Sequence, residues 1–242
     1  MNACDYFAQN CEINAVISRC MEYFPDHCFD DLILRIWEVG GLLHPQWDDN
    51  YRLKRSWLNV VAHMAVSATL GYNLALNTKR HGVSLNSVVR ALLLHDWFKR
   101  QEQEGGKTDK EGFELLLKMG IPEHVVSLAS TTGDIGIERM LSGDADLDAM
   151  IVFYADCCTS NYQVTTYKRR FDDLKPHFEE GGRYFHLGKV FAEKHGKTHR
   201  EVYDSIVIPI ETKLAGLLGH DKEQESIPLL YSPNFVHQHE EV

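Results

Sequence analysis

Three apolar runs of helical character each carry metal-ligating side chains and little else that is polar: His63 in NVVAHMAV, the pair His95-Asp96 in ALLLHDWF, and Asp156 in AMIVFYADCC. Runs of this kind are buried when they fold, and a carboxylate in a dry core is costly unless it is paired, protonated or bound to a cation. Whatever fold the chain adopts must bring these groups to partners. A shared divalent metal would satisfy all four side chains at once.

The surrounding pattern is helical nearly throughout, with Gly and Pro as punctuation rather than inside alternating strand patterns. Residues 11 to 38 predict one or two helices, and GGLLHPQWDDN predicts a loop. From Leu53 to Asn77 the residues Trp57, Val60, Val61, Met64, Ala68, Gly71 and Ala75 share one helical face. Ser84 can cap the next helix, which runs through SVVRALLLHDWFKRQEQE to Gly105-Gly106. Thr108 and Glu111 have capping-box spacing for a helix ending at Gly120, and Pro122, at a first-turn position, opens PEHVVSLAST. Further helices are expected over Leu147 to Thr159, Tyr162 to Lys175 and Arg200 to Leu218, with an extended wrap or loose terminus after Gly219. The fold class is therefore all-α. The expected organisation is N-terminal helices over 1–50 packed on a main helical domain over 51–218, with a C-terminal extension over 219–242.

Length and composition set limits. A chain of 242 residues with 44% hydrophobic content can bury one large core. The formal net charge of −10 argues against extended nucleic-acid binding, which needs many Lys and Arg on phosphates. No stretch approaches the roughly 20 apolar residues of a membrane span, and MNACDYFAQNCEINAV lacks the basic start and apolar block of a secretory signal, so a cytoplasmic location is expected. Cysteines at 4, 11, 20, 28, 157 and 158 show no CxxC spacing. They read as reduced thiols packed as small hydrophobes rather than a zinc ribbon or disulfide framework.

A His-Asp dipeptide by itself carries no information, since chance yields about one in a chain of this composition. The second instance, His220-Asp221, sits before the hydrophilic KEQE and reads as solvated. The first differs: Val88, Leu92, His95, Asp96 and Lys99 fall on one face of the expected helix, so the polar pair continues a core-facing stripe. Taken singly, His63 reads as a hydrogen-bonded core histidine and Asp156 as a locally paired carboxylate. Taken together, three helices each direct a ligand type inward.

In this order and context the residues resemble the HD-domain superfamily of metal-dependent phosphohydrolases. NVVAHMAVSATLGYNLA is similar to that family's first-histidine helix, ALLLHDWFK to its apolar run into His-Asp with a lysine beyond, and VFYADCCTS to its last-aspartate helix; the likeness covers residues 55 to 175. It implies an HD-domain helical bundle in which His63, His95, Asp96 and Asp156 bind one divalent cation, Mn, Fe, Co, Ni or Mg, with coordination positions left for water and a phosphate oxygen. Two-metal members of the family carry extra histidines between the His-Asp pair and the last aspartate. Here that interval holds only His124, and the next helix end reads Ser130-Thr131-Thr132, which favours a single metal.

Asp96 and Lys99 are the candidate catalytic groups, with Lys99 placed to meet a phosphate or leaving group; Glu102 and Glu104 are weaker candidates for orienting water. Thr131, Thr132 and Arg170 are the candidate substrate contacts and Asp134 a further pocket residue; Arg170 belongs to the most basic run, Lys168-Arg169-Arg170, which reads first as a solvated helical face and otherwise as a phosphate contact near the pocket mouth. Trp57, Trp97, Phe98 and Tyr154 read as core, and the terminal His237 and His239 as adventitious metal ligands. The expected activity is hydrolysis of a small phosphorylated substrate, with a nucleotide among the candidates. The rival readings are a regulatory module that binds metal or nucleotide without turnover and an iron oxygenase on the same scaffold. A homodimer through the N-terminal helices is the expected assembly.

Overall fold

The computed structural model describes residues 3–25, 27–47, 53–182, 184–220 and 224–233. The tail with His237 and His239, Asp221, and residues 48–50 of the expected loop lie outside the described residues. The fold is all-α. Its helices are α1 (Ala3–Tyr23), α2 (Asp31–Val39), α3 (Leu58–Thr78), α4 (Leu85–Leu94), α5 (Lys99–Gly105), α6 (Asp109–Lys118), α7 (Glu123–Ala129), α8 (Asp134–Ser142), α9 (Leu147–Cys157), α10 (Tyr167–Phe178), α11 (Phe185–His195), α12 (His199–Leu218) and α13 (Ile227–Leu230). Short antiparallel pairs join β1 (Gln46–Trp47) to β2 (Leu53–Arg55) and β3 (Thr159–Ser160) to β4 (Gln163–Val164).

The core is organised around three helices that are apolar on nearly every side. Every residue of α3 from Val60 to Gly71 is buried, as is every residue of α4 from Ser87 to Leu94, and α9 is buried from Ile151 to Ala155. A helix apolar all round has to be enclosed by others. Accordingly α3 is flanked by α1, α4 and α9, α4 also meets α7 and α9, and α12 lies against α9. Trp57, Trp97, Phe98 and Tyr154 are all buried in this core, as their composition predicts. Cys20, Cys28, Cys157 and Cys158 are free and buried, and burial pushes the Cys20 thiol up to about 12.

Local signals place several helix ends. Thr108 and Glu111 form the predicted capping box of α6, and Gly120 adopts the left-handed conformation beyond its end. Asp146 caps α9 by accepting from Ala149 N at 2.8 Å. Other boundaries differ from the sequence reading. Residues 53–55 form a strand, so α3 begins at Leu58; Thr159 belongs to β3 and Gln163 to β4, so α10 begins at Tyr167. Pro122 stands at the N-cap of α7 rather than inside its first turn. Ser84 occupies the N-cap of α4 with no side-chain capping bond, its hydroxyl meeting Ser87 Oγ at 2.7 Å.

The long helix expected through ALLLHDWFKRQEQE is broken at the His-Asp pair. It stops at Leu94, residues 95–98 form a turn, and α5 starts at Lys99. Side chains make this possible: His95 Nδ1 donates to the Leu92 carbonyl at 2.8 Å and Trp37 Nε1 to the Leu93 carbonyl at 2.8 Å. Carbonyls at the end of α4 thus find partners without a further helical turn. The break also lets the consecutive Trp97 and Phe98 both be buried.

Asp30 ties α2 to α4. Its carboxylate accepts from Ile33 N at 3.1 Å as an N-cap and from buried Arg90 at 2.6 Å. Burial opposes the charged form, but the Arg90 guanidinium and the Ile33 amide outweigh it and hold the carboxyl below its ordinary value of 3.8. Asp30→Ala is expected to cost on the order of 2 kcal/mol, because a cap is lost and a buried guanidinium loses its partner. A depressed carboxyl contributes stability above its unfolded value and loses it as pH falls through the folded one. In urea melts, the gap between wild type and Asp30→Ala should therefore be full at neutral pH and shrink below pH 3.8.

Candidate metal centre

His63 lies in the second turn of α3, His95 immediately after α4, and Asp156 one residue before the end of α9. Their ligating atoms all lie within 4.8 Å of one another, so the three central helices bring together a group that can hold a metal ion. Both histidines are buried, and the Asp156 side chain is 15% exposed.

The hydrogen bonds around this group set its chemistry. His63 Nδ1 is 3.1 Å from the carbonyl of Asn161, and His95 Nδ1 is 2.8 Å from that of Leu92. A carbonyl only accepts, so each ring carries its proton on Nδ1 and donates there. In its neutral form each ring then turns the lone pair of Nε2 inward. These two nitrogens stand 2.9 Å and 3.4 Å from the same oxygen, Asp156 Oδ1. Among the described residues His95 Nε2 is buried without a hydrogen-bond partner. Two imidazole lone pairs and a carboxylate oxygen converging on one point repel one another unless a proton or a cation lies between them. Anchoring the outer nitrogen on a backbone carbonyl while the inner one faces the ion is how metal-bound imidazoles are held. The donor set therefore fits a divalent cation.

Electrostatics agree at Asp156 and His63, whereas His95 is drawn towards its protonated form. Burial works against ionised Asp156, yet the Arg170 guanidinium, followed by His63 and His95, holds its carboxyl well below the usual range. Burial pushes His63 down, against the pull of Asp156, which disfavours an imidazolium there. At His95 burial also opposes the charge, but Asp96 and Asp156 outweigh it and the net shift is upward.

The other sequence candidates are placed as follows. Asp96 stands at the edge of the group rather than within it. Its Oδ2 is 3.9 Å from His95 Nε2, while its Oδ1 pairs with Lys99 Nζ at 3.5 Å. Neighbouring residues in a turn project in different directions, which is why the dipeptide does not deliver both side chains to one point. Burial resists the charge on Asp96, and Lys99 with His95 reverses that effect, lowering the carboxyl; Asp96 in turn raises Lys99 against its own burial. Lys99 also meets Glu102 Oε2 at 3.5 Å, and Glu104 is engaged by Arg100 and Gln46, away from the group.

Arg170 is not on a solvated face. It donates to the backbone carbonyl of Asp156 and its Nη2 lies 3.6 Å from Asp156 Oδ1. Thr131 and Thr132 lie in the short 3-10 turn after α7, where their hydroxyls donate to Leu128 O at 2.6 Å and Ala129 O at 3.3 Å. Those bonds close a helical turn, so neither hydroxyl is directed by them to a ligand. His124 bonds Ser87 Oγ at 3.1 Å and takes no part in the group.

Sequence reasoning missed Asn161. It is the one described non-glycine residue with positive φ, 52°, in the turn between β3 and β4, and its carbonyl holds the His63 ring. The signal was present in Ser160-Asn161-Tyr162, because asparagine tolerates the left-handed region that tight turns need. A β-branched residue there is strained by about 1–2 kcal/mol. Asn161→Val is therefore expected to displace the carbonyl and weaken divalent-metal binding about tenfold to a hundredfold. Asn161→Gly should bind as wild type does; equal titrations for all three proteins would show that the turn does not orient His63.

Among the described residues no helix is long and apolar enough to cross a membrane. Comparison with known proteins gives no match: no family model, no curated protein and no solved structure is similar to this chain.

Proposed function

We propose that the protein is an HD-type phosphohydrolase, a mononuclear metal-dependent enzyme that cleaves a small phosphate ester such as a nucleotide. The observation that supports this reading is the convergence of two imidazole Nε2 atoms and an ionised carboxylate on one point, between otherwise apolar helices. Three protein ligands of this kind leave coordination positions open, as hydrolytic sites require and closed structural sites do not. The order of the residues along the chain resembles the HD superfamily, and the reading rests on that resemblance together with the geometry.

His63, His95 and Asp156 would hold the ion, with Asp96 near enough to join them. A divalent cation there would polarise the phosphoryl group and acidify a bound water. The remaining residues have separable tasks. Asn161 and Leu92 orient the two rings through their carbonyls. Arg170 fixes the backbone and carboxylate of Asp156, and it supplies positive charge beside the site where a phosphate would develop negative charge. Lys99, held between Asp96 and Glu102, would give a proton to the leaving oxygen, while Asp96 would take the proton lost by the attacking water and return it to Lys99 across their ion pair. The apolar helices keep bulk water from these charges and so strengthen them.

The test is metal analysis of the purified chain, combined with assays of phosphomonoesters, phosphodiesters and nucleoside phosphates at a series of added divalent ions. One metal per chain and ion-dependent release of phosphate or a nucleotide are expected. Tight nucleotide binding with no product under any ion would overturn the hydrolase and favour a binding module.

A further inference from the structure

Helices α10, α11 and α12 enclose a cavity of about 690 Å3 that includes none of the metal-group residues. Its volume suits a small organic ligand. The walls are aromatic. His199 is stacked between Phe171 and Phe178, with ring centroids 5.4 Å and 4.3 Å away and planes within 28° and 27°. Phe185 adds another ring, and Lys189 Nζ lies over it at 4.5 Å from the centroid. Space remains among these rings because Gly188 and Ala192 line α11 where a larger side chain would fill it. At Gly188 even a Cβ would come within 3.2 Å of Phe178 Cδ1.

The charged lining consists of Lys175, Lys189 and Arg200 against Asp172 and Glu179. Arg200 is already committed, with Nε on Asp204 at 2.8 Å and Nη1 facing Asp172 at 3.6 Å. Lys175 and Lys189 are exposed, and the lining as a whole is net positive in a chain of net charge −10. Stacked rings accept a flat ring system by offset or edge contact, and the exposed ammonium groups of Lys175 and Lys189 beside them favour negative charge.

We propose that this cavity is a binding site for a planar aromatic compound bearing an anionic substituent, its ring laid against the aromatic wall formed by Phe178, Phe185 and the edge of the His199 stack, and its anion met by Lys175 and Lys189. The site is independent of the metal group, so it stands or falls without reference to hydrolysis.

The experiment titrates the full chain by calorimetry with three probes of one shape: naphthalene-2-sulfonate, the uncharged naphthalene-2-methanol and the cationic 2-naphthylmethylammonium. The sulfonate is expected to bind with a one-to-one stoichiometry and about tenfold more tightly than the ammonium, a preference that weakens with salt. The double variant Lys175→Glu, Lys189→Glu should reverse that order. Gly188→Leu should weaken all three probes by about tenfold or more by filling the cavity. If its helical circular dichroism shows that this variant does not fold, Ala192→Phe serves the same purpose. Equal affinity for anion and cation, sulfonate binding unchanged by the double charge reversal, or binding unaffected by the filling variant would each overturn the proposal.

Discussion

Alanine at His95 or at Asp156 should leave a protein that retains no divalent metal after dialysis and hydrolyses phosphate esters at least about a thousandfold more slowly than wild type. Each substitution removes one of the three groups whose ligating atoms lie within 4.8 Å of one another, and the loss of a ligand weakens the hold on an ion enough for dialysis to strip it. A second readout separates metal loss from unfolding. An ion that binds only the folded state raises stability by RT ln(1 + [M]/Kd), about 2.7 kcal/mol at a hundredfold excess over Kd. Wild type should therefore melt at a higher temperature on addition of the preferred ion, whereas the melting curves of His95→Ala and Asp156→Ala should not respond. Asp156→Ala is expected to be the less stable variant before any metal is added, because it also removes the carboxylate that faces the half-buried guanidinium of Arg170. Metal content and turnover that survive in both variants would end the assignment of this group as the centre of the protein's chemistry.

Gly71→Val should lower stability by at least about 3 kcal/mol and abolish metal binding with it. Gly71 lies where α3 crosses α4 and α9. A Cβ added there would sit 2.2 Å from Leu92 Cδ1, 3.3 Å from Val88 Cγ1 and 3.7 Å from Ala155 Cβ. Alanine asks only the flexible end of Leu92 to move. Valine adds two further methyls on a stiff, β-branched side chain, and Val88 and Ala155 leave them no room. The helices can respond only by separating, and these are the helices that carry His63 and Asp156 and lead into His95. Urea denaturation of Gly71→Ala and Gly71→Val, read beside metal titrations, should show a modest loss for the first and a joint loss of stability and affinity for the second. A valine variant as stable as wild type would show that the crossing is looser than the packing indicates.

Much of this architecture is legible in the chain. The apolar runs around His63, His95 and Asp156 name the central helices, because a segment apolar on all sides has few places to go. The Thr108–Glu111 box and Gly120 mark their helix ends for the same reason: capping is decided by residues three or four apart. Where the reading went astray, longer-range contacts were in control. The helix through the His-Asp pair is broken because Trp37, far away in sequence, takes the Leu93 carbonyl. The run Lys168-Arg169-Arg170 reads as a solvated face, yet Arg170 is turned onto Asp156 once β3 and β4 reverse the chain between them.

The chain by itself determines which ligand types are available and that they must be buried, since both follow from local hydrophobic periodicity and the cost of dry charge. That three of them meet is decided only by the crossing of α3, α4 and α9, and Asp96, adjacent in sequence to His95, is left at the margin. Ring orientation is likewise a tertiary matter. The carbonyl that fixes the His63 proton belongs to Asn161, 98 residues further on, and no local pattern can specify a hydrogen bond across that distance.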